Sequence, residues 1–527
     1  MDDVGLEYVK ARAAEMAGDH ARSAALLAAL VQAQPGNEDL ARKAVAEAIG
    51  AGKMDLAVRL ARAIPAQKLS SDARLLMITE EVRRRRPDRA FAWMQVKGEN
   101  GDLTFLAPLL TAWMAAERND LGQALASIDQ VPANSLLAPL KDEQRALILL
   151  HFKRTAEAEA FARRAIGQAG ARETRLRLAL ADGFLAAGDK PRALIMLEGV
   201  GPDGLAAFRR VAAGRPSGQA IDDLPKALGE SLTAFAADLV RLQRGAPPIG
   251  LVQVARYADP QNSSTAMLLA LLLDGEDRSD EALALLRTIP PDDALISQAR
   301  DVQVRILSDR KRFNEAYAVA APAAADSDAG VGDFSRLGEL YQAMDRPSEA
   351  AEAYGKAIAL GNAQGARNQL WTMLLLRASA LEAANRWPEA RQVLEQALVA
   401  APEQPLLLNF LGYGKLERGE DMDAAEAMIR KASQLAPDDA SITDSLGWAQ
   451  YKRGKIDEAI VTLQRAAEKD PDQAEIHEHL GDALYKAGQR FQARFAWSAA
   501  LITAEDDIAK RVRAKLASGL TEANAAP

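Results

Sequence analysis

Small and apolar residues recur along the chain at the spacing of amphipathic helices, and this pattern itself repeats. Leu446-Gly447 is followed 34 residues later by Leu480-Gly481 and preceded 35 residues earlier by Leu411-Gly412. A period of this length holds two helices with their turns. The sequence therefore predicts helical hairpins, and because one hairpin alone cannot bury its apolar face, the hairpins are expected to stack into a continuous core.

The residue types at fixed positions explain how such hairpins pack. Gly447 and Ala459 let the two helices of one hairpin approach closely, and Leu463 fills the space between them. Pro471 ends the second helix because it lacks an N–H and clashes with the preceding turn. The same register places hairpin starts at Val331, Trp371, Pro405, Ala440 and Ala474, and fainter ones at Val4, Glu38, Ser71, Phe105, Pro139, Thr174, Glu230, Ser263 and Ser297.

This repeat resembles the tetratricopeptide repeat. The resemblance is carried by Leu446-Gly447, Tyr451, Gly454, Ala459, Leu463, Ala466 and Pro471, and by the same register after Ala474. It implies an all-α fold, an α-solenoid built as a right-handed superhelix of about fourteen helical hairpins. We predict a degenerate N-terminal arc over 1–200, an irregular junction over 201–229, degenerate hairpins over 230–330, a well-formed array over 331–507, and a capping helix with a disordered tail over 508–527.

Composition narrows the possible functions of the 527-residue chain. The 65 Lys and Arg residues against 73 Asp and Glu give a net charge of −8, which disfavours nucleic acid as a partner. Apolar runs stay well below the roughly 20 residues that cross a bilayer, so we expect no transmembrane segment. The chain has no cysteine, which excludes disulfides, a thiolate nucleophile and cysteine-ligated metals.

The sequence offers no set of residues suited to catalysis. Its four histidines are His20, His151, His477 and His479. His477 and His479 are two residues apart on a predicted helix, whereas metal ligands on one helix need a spacing of three or four. We therefore predict a protein that is not an enzyme and that holds no cofactor and no metal.

A stack of hairpins presents its first helices to a groove that suits a peptide or a partner helix. By the register, ten positions of the last three hairpins are expected to be exposed there, and Trp448 is equally consistent with a groove anchor and with packing between repeats. These candidate binding residues are Asn409, Tyr413, Asp444, Trp448, Tyr451, Lys452, Glu478, Asp482, Tyr485 and Lys486. We expect protein or peptide partners.

A second resemblance concerns the stretch from Asp444-Ser445-Leu446-Gly447-Trp448 to Trp497, which is similar to the tail of bacterial envelope proteins made of these repeats. Those proteins include adaptors of carboxyl-terminal processing proteases that deliver cell-wall hydrolases. The resemblance implies a periplasmic or envelope-associated adaptor whose export signal was removed before Asp2; without such a signal the protein would be cytoplasmic. Two alternatives stay open: a subunit of a polysaccharide export or glycosyltransferase assembly, and a cytoplasmic assembly scaffold.

Overall fold

All regular secondary structure of the described residues is helical. The computed structural model describes residues 3–96, 101–198, 200, 204–243, 245–326, 329–363 and 370–527. Thirty α-helices and four short 3₁₀ helices account for the secondary structure of these ranges, which contain no strand. The chain divides into two compact units, Met1–Arg336 and Leu337–Pro527.

Among the described residues, twenty α-helices begin in the first unit, and the division falls within the last of them, α20. They are α1 Asp3–Met16, α2 His20–Ala33, α3 Glu38–Gly50, α4 Met54–Ala61, α5 Ser71–Arg83, α6 Pro87–Met94, α7 Ala107–Glu117, α8 Leu121–Asp129, α9 Lys141–His151, α10 Thr155–Gln168, α11 Glu173–Ala186, α12 Lys190–Leu197, α13 Leu205–Ala212, α14 Leu224–Arg241, α15 Ile249–Ala258, α16 Ser263–Gly275, α17 Ser279–Leu286, α18 Ile296–Asp309, α19 Phe313–Ala325 and α20 Val331–Ala343.

The second unit continues the same pattern with ten helices. They are α21 Pro347–Ala363, α22 Trp371–Ala383, α23 Trp387–Ala400, α24 Pro405–Glu417, α25 Met422–Leu435, α26 Ala440–Lys452, α27 Ile456–Lys469, α28 Ala474–Lys486, α29 Arg490–Thr503 and α30 Asp506–Ser518. Helices α20, α22, α24, α26 and α28 begin at the residues that the repeat register predicts. The all-α solenoid is thereby confirmed.

The hairpins of the second unit turn on residues with a positive φ. Gly454, after α26, has φ +75°, and its N–H donates to the carbonyl of Tyr451 at 2.9 Å. The N–H of Lys455 donates to the carbonyl of Gln450 at 2.9 Å. This pair of bonds is the Schellman motif, which satisfies the last carbonyls of the helix and turns the chain toward α27.

The crossing of α26 and α27 needs a glycine. A Cβ added to Gly447 would stand 2.6 Å from Leu463 Cγ, which is closer than side-chain atoms approach each other. We expect Gly447→Leu to lower the free energy of unfolding by about 1–3 kcal/mol through overpacking. Thermal and urea unfolding measure this loss. The control is Gln464→Leu on the exposed side of α27; equal stabilities of the two variants would contradict the crossing.

The predicted irregular junction over 201–229 is helical in two places. The structure places α13 there, and α14 begins at Leu224 rather than at the predicted Glu230. The side chain of Asp223 accepts from the N–H of Lys226 at 3.0 Å and caps α14, and Pro225 lies in its first turn. Proline breaks a helix interior but fits a first turn, whose N–H groups have no helical partner. The whole region lies inside the first unit.

Candidate functional site

Three first helices of consecutive hairpins, α24, α26 and α28, contact one another in sequence order in the second unit. These helices carry the set of aromatic and acidic side chains that we call the groove face and define by Tyr413, Trp448, Tyr451, Asp482 and Tyr485. Burial raises the pKa of Tyr413 and of Tyr451 above the ordinary tyrosine value. Both tyrosines are partly buried.

Trp448 lies at the centre of the groove face and is fully buried. Its ring stacks on Tyr451 of the same helix at a centroid distance of 4.6 Å and on His479 of α28 at 4.1 Å. Its indole Nε1–H donates to the backbone oxygen of Pro527 at 2.8 Å. A buried tryptophan needs such an acceptor, because its N–H would otherwise lose its hydrogen bond to water.

The imidazole behind Trp448 forms a buried pair with a carboxylate of α26. His479 Nδ1 lies 2.9 Å from Asp444 Oδ2 and 3.0 Å from Oδ1, and both residues are buried. Burial lowers the pKa of His479, but the charge and hydrogen bond of Asp444 raise it by more than burial lowers it. The pKa of His479 therefore lies above its ordinary value.

The raised His479 pKa predicts a pH-dependent stability of the second unit. A group whose pKa is higher in the folded than in the unfolded protein stabilises the fold fully at pH values below its unfolded pKa, which is about 6.5 for histidine. This stabilisation is lost as the pH rises through the folded pKa. We expect the free energy of unfolding to fall as pH rises above about 6.5. Urea unfolding across this range tests the slope. His479→Gln should flatten it and His477→Gln should not; the same slope in both variants would contradict the assignment.

A second buried ionic cluster joins α28 to α30. Lys515 is fully buried, and its Nζ lies 2.7 Å from Glu478 Oε1 and 2.7 Å from Asp482 Oδ2. Arg511 donates to both oxygens of Glu478, at 3.0 and 2.7 Å. Burial raises the pKa of Glu478, but the hydrogen bonds from Arg511 and Lys515 outweigh it and the pKa is lowered. For Asp482 burial outweighs Lys515, and the pKa is raised.

Residues Thr521–Pro527 turn back onto the groove face, and we call them the return segment. After α30, Gly519 adopts φ +84°, and a turn follows in which Thr521 N–H donates to Asn524 Oδ1 at 2.7 Å and Asn524 Nδ2 donates to the carbonyl of Gly519 at 2.9 Å. The backbone N–H of Ala526 then donates to Asp482 Oδ2 at 3.0 Å. The prediction of a disordered tail is thus wrong, because these bonds fix the segment.

The return segment fills a small apolar site. Ala526 is buried to 4% exposure and belongs to one apolar cluster with Trp448 and Leu446 of α26 and Leu416 of α24. Ala523 of the same segment is exposed. The groove face thus receives one small side chain, together with a backbone N–H at Asp482 and a backbone oxygen at Trp448.

The structure corrects the predicted exposure of several candidate binding residues. Four of them are buried: Asp444, Trp448, Glu478 and Asp482. His479 contacts Asp444, the return segment contacts Trp448, and α30 contacts Glu478. The other candidates keep at least part of their surface in water: Lys452 and Lys486 are exposed, and Asn409, Tyr413, Tyr451 and Tyr485 are partly buried. The Lys452 ammonium lies 5.2 Å from the Trp448 ring centroid.

Sequence reasoning missed the residues that cover these positions. The sequence predicts only a capping helix here, yet Arg511 and Lys515 of α30 meet the acidic pair Glu478 and Asp482. One signal was available, since both pairs have the i, i+4 spacing that places them on one helix face.

No group of three or more His, Cys, Asp or Glu side chains that could hold a metal ion occurs among the described residues. Across the same ranges, no helix combines the length and apolar character needed to cross a membrane.

Family comparisons identify the repeats of the second unit. Residues 335–405 and 375–440 match the family described as tetratricopeptide repeat, and residues 447–488 match one described as TPR repeat. A TPR repeat-containing protein of Pseudomonas aeruginosa is 33% identical over 87 residues, which are 16% of this chain and 15% of that protein. The match thus spans well under two thirds of this curated relative. The chain contains tetratricopeptide repeats, as its sequence pattern predicts.

Solved structures of repeat proteins are also similar. The APC/C hetero-tetramer Cut9-Hcn1 is 14% identical with a TM-score of 0.37, covering 99% of this chain and 97% of that chain. MamA from Desulfovibrio magneticus RS-1 is 18% identical with a TM-score of 0.29, covering 33% and 94%. YrrB, a TPR protein with an unusual peptide-binding site, is 18% identical with a TM-score of 0.29, covering 37% and 97%. At these identities and scores no function is transferred.

Proposed function

We propose that the protein is a scaffold that acts by binding an extended segment of a partner protein on the groove face, and that it performs no catalysis itself. The observation that supports this most directly is the return segment. Ala526 and Pro527 lie on the groove face through backbone hydrogen bonds to Asp482 and Trp448. A surface that satisfies a peptide backbone and takes up a small side chain has the chemistry of a peptide receptor.

The finer role that we propose is that of an adaptor in the bacterial envelope or periplasm that brings substrates to a carboxyl-terminal processing protease. Its support is the sequence resemblance of residues 444–497 to envelope repeat proteins. Under this proposal cell-wall hydrolases are the delivered partners, and the groove face holds a segment of one of them or of the protease.

Site-specific photo-cross-linking in the native host tests both levels of the proposal. A photoreactive amino acid replaces Lys452, which is exposed beside Trp448, and in a matched control it replaces Val461, which is 67% exposed on α27. Mass spectrometry identifies the captured chains. We expect discrete protein adducts at position 452 that are absent at position 461.

The outcomes separate the proposals. A protease or a cell-wall hydrolase captured at position 452 would support the adaptor role. Discrete adducts with subunits of another assembly would leave the scaffold function standing and reject the adaptor role. The same proteins at both positions, or none at position 452, would contradict a groove-face partner.

A further inference from the structure

The return segment shows which features of a peptide the groove face recognises. Asp482 Oδ2 accepts the N–H of Ala526, while Trp448 Nε1 donates to the backbone oxygen of the next residue, Pro527. These contacts read two consecutive residues through their backbone. Because Asp482 also accepts from Trp497 Nε1 at 2.9 Å and from Lys515 at 2.7 Å, its carboxylate is held in place before any ligand arrives.

The side chains of the same two residues set the specificity. Ala526 is buried within the cluster that contains Trp448, so a large side chain at this position would collide with the groove face. Pro527 is exposed and has no N–H to satisfy. A proline also keeps the residue before it in extended backbone, which lowers the entropy lost on binding.

We infer that the groove face is a receptor for an extended peptide with a small residue followed by proline, and that the chain's own return segment occupies this receptor in cis and competes with such a peptide. This inference rests on the proposed function and adds the chemistry of the partner and the regulation of the site. The partner binds by displacing Ala526 and Pro527 and replacing their two hydrogen bonds.

The contact of the return segment with the groove face is small enough for a partner peptide to displace it. Within the return segment only Asn524 and Ala526 are buried, and only two hydrogen bonds connect the segment to Asp482 and Trp448. Its short connection to α30 gives an effective concentration of the order of millimolar, which holds a weak ligand in place. The apparent affinity for a partner peptide is then reduced by the fraction of molecules in which the groove face is open.

Binding of a labelled peptide to the full chain tests this inference. The probe is an amidated, fluorescein-labelled peptide that copies residues 521–527, measured by fluorescence anisotropy, and the control probe carries arginine in place of its sixth residue. We expect Ala526→Arg, which expels the return segment, to bind the probe at least about tenfold more tightly than the wild type. The matched control Ala523→Arg alters an exposed position and should bind like the wild type.

A second variant keeps the test decisive if Ala526→Arg folds poorly. Gly519→Val opposes the turn, since φ +84° is unfavourable for valine and an added Cβ would contact the Tyr485 hydroxyl. It should also bind the probe about tenfold more tightly than the wild type. Circular dichroism and the urea midpoint verify folding of each variant.

A further substitution locates the peptide. Trp448→Phe in the Ala526→Arg background removes the indole N–H and keeps an aromatic ring beside His479. It should return the affinity to the wild-type level or below. Unchanged affinity in this double variant would overturn the inference, as would equal affinities of the wild type, Ala526→Arg and Gly519→Val, or tight binding of the arginine-containing probe.

Failure of this inference differs from failure of the proposed function. If no variant binds the probe while position 452 still captures a partner that position 461 does not, the peptide chemistry is wrong and the scaffold function stands. If position 452 captures nothing specific as well, both fail.

Discussion

Replacement of Lys515 by methionine is expected to lower the free energy of unfolding of the second unit by about 3–5 kcal/mol. The ammonium group is fully buried between Glu478 and Asp482, at 2.7 Å from each carboxylate. Methionine keeps most of the side-chain volume but removes the charge. Arg511 then remains as the one cation bound to this cluster, and it reaches Glu478 and not Asp482.

The large effect follows from the burial of the two carboxylates. A buried ion pair contributes little net stability, because the cost of desolvating the two charges offsets their attraction. Removal of one partner, however, leaves an uncompensated charge in the protein interior. Asp482 already shows this cost, since burial raises its pKa even with Lys515 present. Without Lys515 the pKa of Asp482 should rise further, and the carboxyl group should take up a proton.

Urea unfolding of the full chain, followed by circular dichroism, measures the loss. Lys510→Met is the matched control, since Lys510 is an exposed residue of the same helix. A double-mutant cycle with Glu478→Gln should give an interaction energy of about 1–3 kcal/mol. If Lys515→Met and Lys510→Met were equally stable, the buried cluster would not exist in solution.

The sequence predicts helix starts of the second unit well because the signals there are local. The pairs Leu446-Gly447 and Leu480-Gly481 mark crossings within one hairpin, and Gly454 marks a turn closed by bonds between near neighbours. Such features depend on a few adjacent residues, so a repeating register finds them. The start of α14 was misplaced because Pro225 has opposite effects inside a helix and in its first turn.

The environment of the candidate site depends on contacts that the register does not contain. The repeat pattern gives the direction in which Trp448 points, but the residues that cover it are His479 and Pro527, the latter 79 positions away. The acidic residues Glu478 and Asp482 were expected in water, and a helix outside the repeats neutralises them. The direction of a side chain depends on its own helix, whereas its burial depends on which other residues pack against it.

The first unit yields the second prediction of large effect: Asp182→Ala should lower its free energy of unfolding by about 3–4 kcal/mol. The Asp182 carboxylate of α11 is buried and accepts four hydrogen bonds from the segment that follows α13. These come from the N–H of Ser217 at 2.6 Å, the Ser217 hydroxyl at 2.9 Å, and the N–H groups of Gly218 and Gln219 at 3.0 and 2.8 Å.

Alanine at position 182 would leave three backbone N–H groups without their acceptor, and each buried unsatisfied donor costs about 1–3 kcal/mol. If the segment opens partly, water can accept from these N–H groups, which reduces their summed cost. The substitution should therefore destabilise this segment locally as well as the whole unit. Hydrogen exchange measured by mass spectrometry should show faster exchange over residues 217–219. Urea unfolding should show the lower stability.

The matched control is Asp222→Ala, which removes an exposed carboxylate that pairs with Lys226 at 2.7 Å on the surface. Surface pairs contribute at most about 1 kcal/mol, so this variant should exchange and unfold nearly like the wild type. The comparison separates a general effect of charge removal from loss of the buried acceptor. Unaltered exchange over residues 217–219 in Asp182→Ala would mean that other bonds hold the segment rather than the Asp182 carboxylate. These are the bond from Arg175 to the Gln219 carbonyl and the bonds of the Gln219 side chain to Asp293, at 3.2 and 3.3 Å.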